Sequence, residues 1–412
     1  MLPSRFHPSV CLSLLCLLSS SAARTIAAER LPAGAIQQLG STRFWLGEDS
    51  PKAALSPDGG LAAFPTMKHT IALMDTHTGK VPRYLDAVPI GATSLAFSPD
   101  GRLLAALGSA HWFRLYNLTT GDSWQTNMPT SAMDAAIAFS ADSRVVACRP
   151  NDIGQPNPIH VWNTTTHEQL AVLRPGDDRC PGMALSGDGK LLATCGGLRF
   201  DLPRKQADAV RRIVHIWDIA TGKAVAQLKV AGTLVHDAAF SPDGKRLALA
   251  EDTSFVSLRD TRSWKQRRRW ATLPGTGAPL AFSRDGKRLA ASAEDEHGVA
   301  VQVWDLITGQ RIAVARCPMR RPAALVPGPT NGFMAAGRNH QKLYIVDVLP
   351  GTLRTPHEGH QSEVWTLAFT PDDKTLLSAG SDGLRVWETA TAREVRHRPF
   401  PEVSFRIPFV AC

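Results

Sequence analysis

Cysteine is sparse in this chain and poorly spaced for bridging. Seven occur in 412 residues, and no Cys-x-x-Cys pair is among them. That excludes the common zinc and thiol-redox signatures. Folding the hairpin about Asp188 places Cys180 and Cys195 diagonally, about 7–8 Å apart, which is long for a disulfide. Free, buried thiols are expected. Tyrosine is rarer still, at three residues, and aromatics make up 7%. They are not interleaved with the basic clusters, which excludes the stacking platform that single-stranded nucleic acid requires. The chain also lacks His-Glu-x-x-His, Gly-x-Ser-x-Gly and any glycine-rich phosphate loop, so neither zinc hydrolysis, a serine nucleophile nor nucleotide chemistry is indicated. No low-complexity stretch or charge block interrupts residues 55–388.

What the chain does have is one pattern spelled eight times. A small residue and an aromatic or Leu precede Ser-Pro-Asp-Gly, a basic residue and an apolar run. An apolar-polar-apolar-Trp-Asp run follows. AFSPDGRLLAAL from Ala96, AFSPDGKRLALA from Ala239 and AFSRDGKRLAAS from Ala281 are the clearest copies. The residue after the Trp position falls at Asp75, Asn117, Asn163, Asp218, Asp260, Asp305, Asp347 and Glu388, in steps of 42, 46, 55, 42, 45, 42 and 41. The seventh copy has lost its turn and reads ALVPGPTNGFMAAG from Ala324. In the eighth, Trp365, Leu367 and Phe369 alternate with smaller residues, the period of a strand. Thr375–Ala379, Leu384–Trp387 and Arg393–Arg398 supply three more, separated by turn residues. Four short antiparallel strands per period of about 40–45 residues make a β-propeller blade. The expectation is an all-β propeller over residues 31–398, with eight blades favoured over seven. Residues 1–23 are expected to be a signal peptide and 399–412 a C-terminal tail.

VHIWDIATGK from Val214 and VQVWDLITGQ from Val301 resemble the third-strand signature of the WD-repeat propellers. LRVWETATAR from Leu384 and IHVWNTTTHE from Ile159 are nearer variants. LPAGAIQQLGSTRFWLG from Leu31 resembles the lead-in of exported bacterial members. The resemblance implies a WD-repeat-type propeller used as a binding platform. It further implies a hydrogen-bonded set of His, Ser or Thr, Asp and Trp in each blade. Only the eighth repeat supplies a full set, His360, Ser378, Asp382 and Trp387. Met74, Tyr116, Arg259 and Val346 replace the Trp elsewhere. Apolar packing between blades is therefore expected to supply most of the stability, since a buried polar network helps only when complete.

Arg5 and His7, the nine-residue apolar run Val10–Leu18 and small residues through Ala23 follow the order of a secretory signal. Nine residues cannot span a bilayer. Export to the periplasm or the cell exterior is expected, with no transmembrane segment left after cleavage. Ile36–Trp45 can supply a strand that closes the ring into the last blade.

The net charge is +9, but it is dispersed. Arg267–Arg269 read as an outer fourth strand whose charge blunts the edge. His160 and His215 each sit two residues before the Trp, a tolerant strand position. The repeated Asp58, Asp100, Asp142, Asp188, Asp243, Asp285 and Asp372 fall one per turn, too dispersed for the converging oxygens that calcium needs. They read as turn caps. No catalytic residue, metal or cofactor is expected. The 55-residue step marks an insertion carrying Arg199, Phe200, Arg204, Lys205, Arg211 and Arg212. Insertions in repeat proteins map to one face, often the binding face. These residues are the candidate partner-binding site. The expected function is a non-catalytic, monomeric scaffold for a protein or an anionic envelope polymer, with no nucleic acid. The alternative is an enzyme or small-ligand sensor using the central channel.

Overall fold

Each period-two run becomes a strand, and each Ser-Pro-Asp-Gly becomes the turn that reverses the chain. In the computed structural model the described residues are 53–66, 69–85, 92–108, 111–128, 135–150, 157–175, 182–195, 212–231, 234–251, 255–273, 276–295, 298–317, 321–328, 332–339, 342–349, 351–353, 364–370, 374–380, 383–391 and 393–398. Among them the chain forms strands and turns, with no helix. Thirty-two strands make eight four-stranded antiparallel sheets, and within each sheet the strands lie in chain order. Sheet eight consists of Val364–Phe369, Thr375–Gly380, Gly383–Glu388 and Arg393–Arg398, within a residue of the sequence reading. The expected closing strand, Ile36–Trp45, lies outside the described residues.

The turn between strands one and two is closed by its own side chains. The Ser241 hydroxyl donates to Asp243 Oδ1 at 2.6 Å. The Lys245 amide donates to the same oxygen at 3.1 Å, and the Arg246 amide to Ser241 Oγ at 3.0 Å. The same Ser–Asp bond recurs at Ser56, Ser98, Ser140, Ser186 and Ser283. Gly244 completes the turn at φ 68°, a left-handed conformation that costs a residue with a Cβ about 1 kcal/mol. Burial works against the charge on Asp243. The Ser241 and Lys245 hydrogen bonds and the Lys245 and Arg246 cations outweigh it and hold the carboxyl below the usual range.

The chain divides into two compact units. The smaller comprises Met1–Trp45, His340–Lys342 and Pro356–Cys412 and contains sheet eight. The larger, Leu46–Asn339 and Leu343–Thr355, contains sheets one to seven apart from Lys342. Inside the larger unit the first strand of each sheet touches the first strand of the next. The first strand of sheet seven, Arg321–Pro327, touches that of sheet one, Ala54–Leu55, so these contacts form a closed cycle. The turn that sheet seven lost is bridged, since Arg284 Nη2 of sheet six donates to the Pro57 carbonyl of sheet one at 2.6 Å.

Apolar side chains fill the spaces between sheets. Each cluster draws on two adjacent sheets: Leu104 and Tyr116 meet Ile71 and Leu73, Trp162 meets Phe113 and Leu115, and Trp304 meets Ala248 and Leu258. Met74, Tyr116 and Val346 are as buried as the Trp residues they replace. Cys148, Cys195 and Cys317 are free and buried.

Candidate interaction surfaces

Of the six predicted binding residues, Arg199, Phe200, Arg204, Lys205 and Arg211 lie outside the described residues. Arg212 immediately precedes the third strand of sheet four, Ile213–Asp218. It is half-buried, and its carbonyl accepts from the Val230 amide at 2.9 Å.

Arg267–Arg269 lie on the outer strand of sheet five, Gln266–Ala271. Each has a structural partner. Arg267 stands 3.6 Å from Asp260, and Arg268 donates to the Ile307 carbonyl at 3.3 Å. Arg269 pairs with the fully buried Glu251 at 3.2 Å and lies over the Phe255 ring, 3.7 Å from its centroid. The Ser257 hydroxyl also donates to Glu251. A buried carboxylate is tolerable only when paired in this way.

The position two residues before the Trp has a defined role. It bonds a fourth-strand residue nine places later. Arg114 meets Ser123, Gln302 meets Arg311 and Arg385 meets Glu394. In sheet three Gln169 Nε2 donates to His160 Nδ1 at 2.8 Å, and the imidazole stacks on Trp162. Burial, and secondarily the Arg174 charge, lowers the His160 pKa, so the ring is neutral at pH 7. Among the described residues no group of three or more His, Cys, Asp or Glu could hold a metal ion.

The fourth strand of one sheet also grips the turn between strands three and four of the next. Arg83 donates to the Leu118 carbonyl at 3.2 Å. Trp270 Nε1 donates to the Gly309 carbonyl at 2.8 Å. Trp124 stacks on His167, with ring centroids 4.8 Å apart and planes 4° from parallel.

The family described as WD domain, G-beta repeat matches residues 351–388. The fold is a β-propeller, and one of its repeats is similar to the WD repeat. Apoptotic protease-activating factor 1 of Danio rerio is 22% identical over 72% of this chain and 22% of its own length. The chain thus spans about a fifth of that relative. Among solved structures, Kuenenia stuttgartiensis hydrazine synthase superposes with a TM-score of 0.57 at 18% identity, covering 73% of this chain and 97% of that one. The Myceliophteria thermophila Cps50 (Swd1) beta-propeller domain gives 0.56 at 15%, with the same coverage. Both likenesses concern the fold.

The matched WD repeat contains most of sheet eight. There Trp387 Nε1 donates to Ser378 Oγ at 2.7 Å. His360 and Asp382, the other members of the set, lie outside the described residues. A second Trp–hydroxyl bond joins Trp217 Nε1 to Thr194 Oγ1 at 3.1 Å. The propeller's inner strands carry one group that repeat reasoning passed over. Asp237 follows a bulge in the first strand of sheet five, Val235–Phe240, and its Oδ2 accepts from the Leu280 amide of sheet six at 2.9 Å. Burial raises its pKa to about 6, against the opposing pull of the Leu280 and Ala238 amides. The sequence signal was a His-Asp pair inside a strand, where Asp is depleted.

Proposed function

We propose that this WD-repeat propeller is an exported, non-catalytic scaffold that binds a protein or glycan partner through the rim bearing the sheet-four insertion. WD-repeat propellers typically serve as platforms for protein partners. The observation that carries the reading is that the conspicuous polar groups are already engaged. The Asp of each described Ser-x-Asp turn accepts from its own Ser. His160 is held between Gln169 and Trp162. Reactive groups committed to turns and strand pairs hold a scaffold rather than turn over a substrate. The signal-like order of residues 5–23 supports export, and the arginine-rich insertion suits bidentate contacts with carboxylate or phosphate.

Affinity capture from envelope extract tests the partner claim. Replacing Arg199, Arg204, Lys205 and Arg211 by Ser, with the half-buried Arg212 kept, is expected to abolish capture and leave thermal melting unchanged. Undiminished capture would place the binding surface elsewhere. Sequencing the N-terminus of protein from its host tests export: an intact Met1 on cytoplasmic material would sink it.

A further inference from the structure

A half-open groove of about 410 Å³ lies between sheets two and three, within the size range of small-molecule sites, about 300–1,000 Å³. Its two walls are joined where the Asp100 amide donates to Ser143 Oγ at 3.1 Å. Ser143 and His167 both line it, and both have left-handed backbones, with φ 63° and 60°. Glycine holds the equivalent first position at Gly59, Gly101, Gly189, Gly244 and Gly286, and the second at Gly79, Gly121, Gly222, Gly309 and Gly351; sheet five also departs at the second position, with Trp264 at φ 56°, but keeps glycine at the first. Sheet three has thus exchanged both turn glycines for side chains with hydrogen-bonding atoms. Each exchange costs about 1 kcal/mol of backbone strain, and such strain collects at functional sites.

Asp100, Asp142, Asn117 and Thr164 hold their own turns, and the rest of the polar lining is less committed. Arg102, Arg144 and Asp122 line the groove and are exposed, and among the described residues their side chains have no hydrogen-bond or ion-pair partner, in contrast to Arg267–Arg269. Trp124 and the exposed His167 form an aromatic wall. Three carboxylates, Asp100, Asp122 and Asp142, stand among two guanidinium groups, so the groove has little net field to select a charged ligand. It suits a ligand whose groups both donate to carboxylates and accept from guanidinium, beside a C–H face for the ring wall.

We propose that this groove binds a neutral sugar ring through its hydroxyls. The proposal does not depend on the insertion, whose Ser variants are expected to retain the site. Saturation-transfer NMR on the full chain tests it, with methyl glycosides of glucose, galactose, mannose and N-acetylglucosamine, and with glycine and inorganic phosphate as contrasting probes. The expected result is transfer from at least one sugar, reduced at least fivefold (roughly 1 kcal/mol) in an Arg144→Ala/His167→Gly variant that melts like the parent. If that variant melts lower, the exposed changes Arg102→Ala and Asp122→Ala replace it. No transfer from any sugar, undiminished transfer in the variants, or transfer only from glycine or phosphate would overturn it.

Discussion

The junction of sheets two and three and that of sheets five and six solve one geometric problem in opposite ways. At five–six the turn keeps Gly309, at φ 79°, and the outer strand of sheet five reaches in. Arg268 donates to Ile307 and Trp270 to Gly309. A Cβ on Gly309 would stand 1.7 Å from Arg268 Nη1. At two–three the turn itself reaches out, because His167 replaces the glycine and stacks on Trp124. Glycine in these turns therefore answers to two demands, the backbone and the neighbour. Where the neighbour leaves room, only the backbone demand remains, and a side chain can use the space.

That distinction can be broken first at the glycines. Gly309→Ala is expected to cost about 2 kcal/mol, combining left-handed strain with displacement of the Arg268 guanidinium from its bond to Ile307. Gly222, also left-handed but with nothing within 4 Å of a built Cβ, should cost only about 1 kcal/mol when changed to Ala. Equal losses by urea titration would show that the neighbour imposes nothing.

The junctions differ along their first strands too. The residue after the first-strand bulge is Ser94 in sheet two and Asp237 in sheet five. The folded pKa of Asp237 is raised to about 6 from 3.8. The folded state therefore holds its proton longer than the unfolded chain does. Stability falls as pH rises through this window, and the loss is complete above it. Asp237→Asn is expected to stabilise by on the order of 2 kcal/mol at pH 8 and by nothing below pH 3.8. A gain independent of pH would contradict this.

Two smaller changes sharpen the outer comparison. Trp270→Phe keeps a ring but removes the donor to the Gly309 carbonyl, at about 1 kcal/mol; calorimetry should show the same loss in a Gly309→Ala background, which keeps that carbonyl. His167→Gly trades the stack for relief of strain, terms of similar size, and should move stability by no more than about 0.5 kcal/mol. A larger loss would mean that the stack, rather than the groove it borders, explains the histidine.

The sequence carried the sheets because turn chemistry and alternation are local. Ser241, Asp243 and Gly244 announce their turn within four residues, and Arg393–Arg398 was legible from polarity alone. Partnerships between strands were less visible. His160 read as an arbitrary strand residue because its bond to Gln169 joins the third strand to the fourth across a turn, a pairing that shows only when the repeats are compared in the folded state. The groove was invisible for a related reason. Ser143 and His167 are ordinary residues in the sequence, and only their left-handed backbones mark them. Glu251 and Arg269, 18 positions apart, likewise meet only after strands two, three and four have paired.

The contact between the first strands of sheets one and seven has a consequence in time. Ala54–Leu55 emerges from the ribosome long before Arg321–Pro327 does. At about 5–20 residues per second, the interval is roughly 13–50 seconds. During it, sheets one to six can pair internally, strand against adjacent strand, while the outward flank of sheet one waits. A contact so distant in sequence is slow to form and exposes its partners to misassembly in the meantime. The closing of this seven-sheet cycle is thus timed by synthesis, and the flank of sheet one is the surface that a chaperone would have to cover.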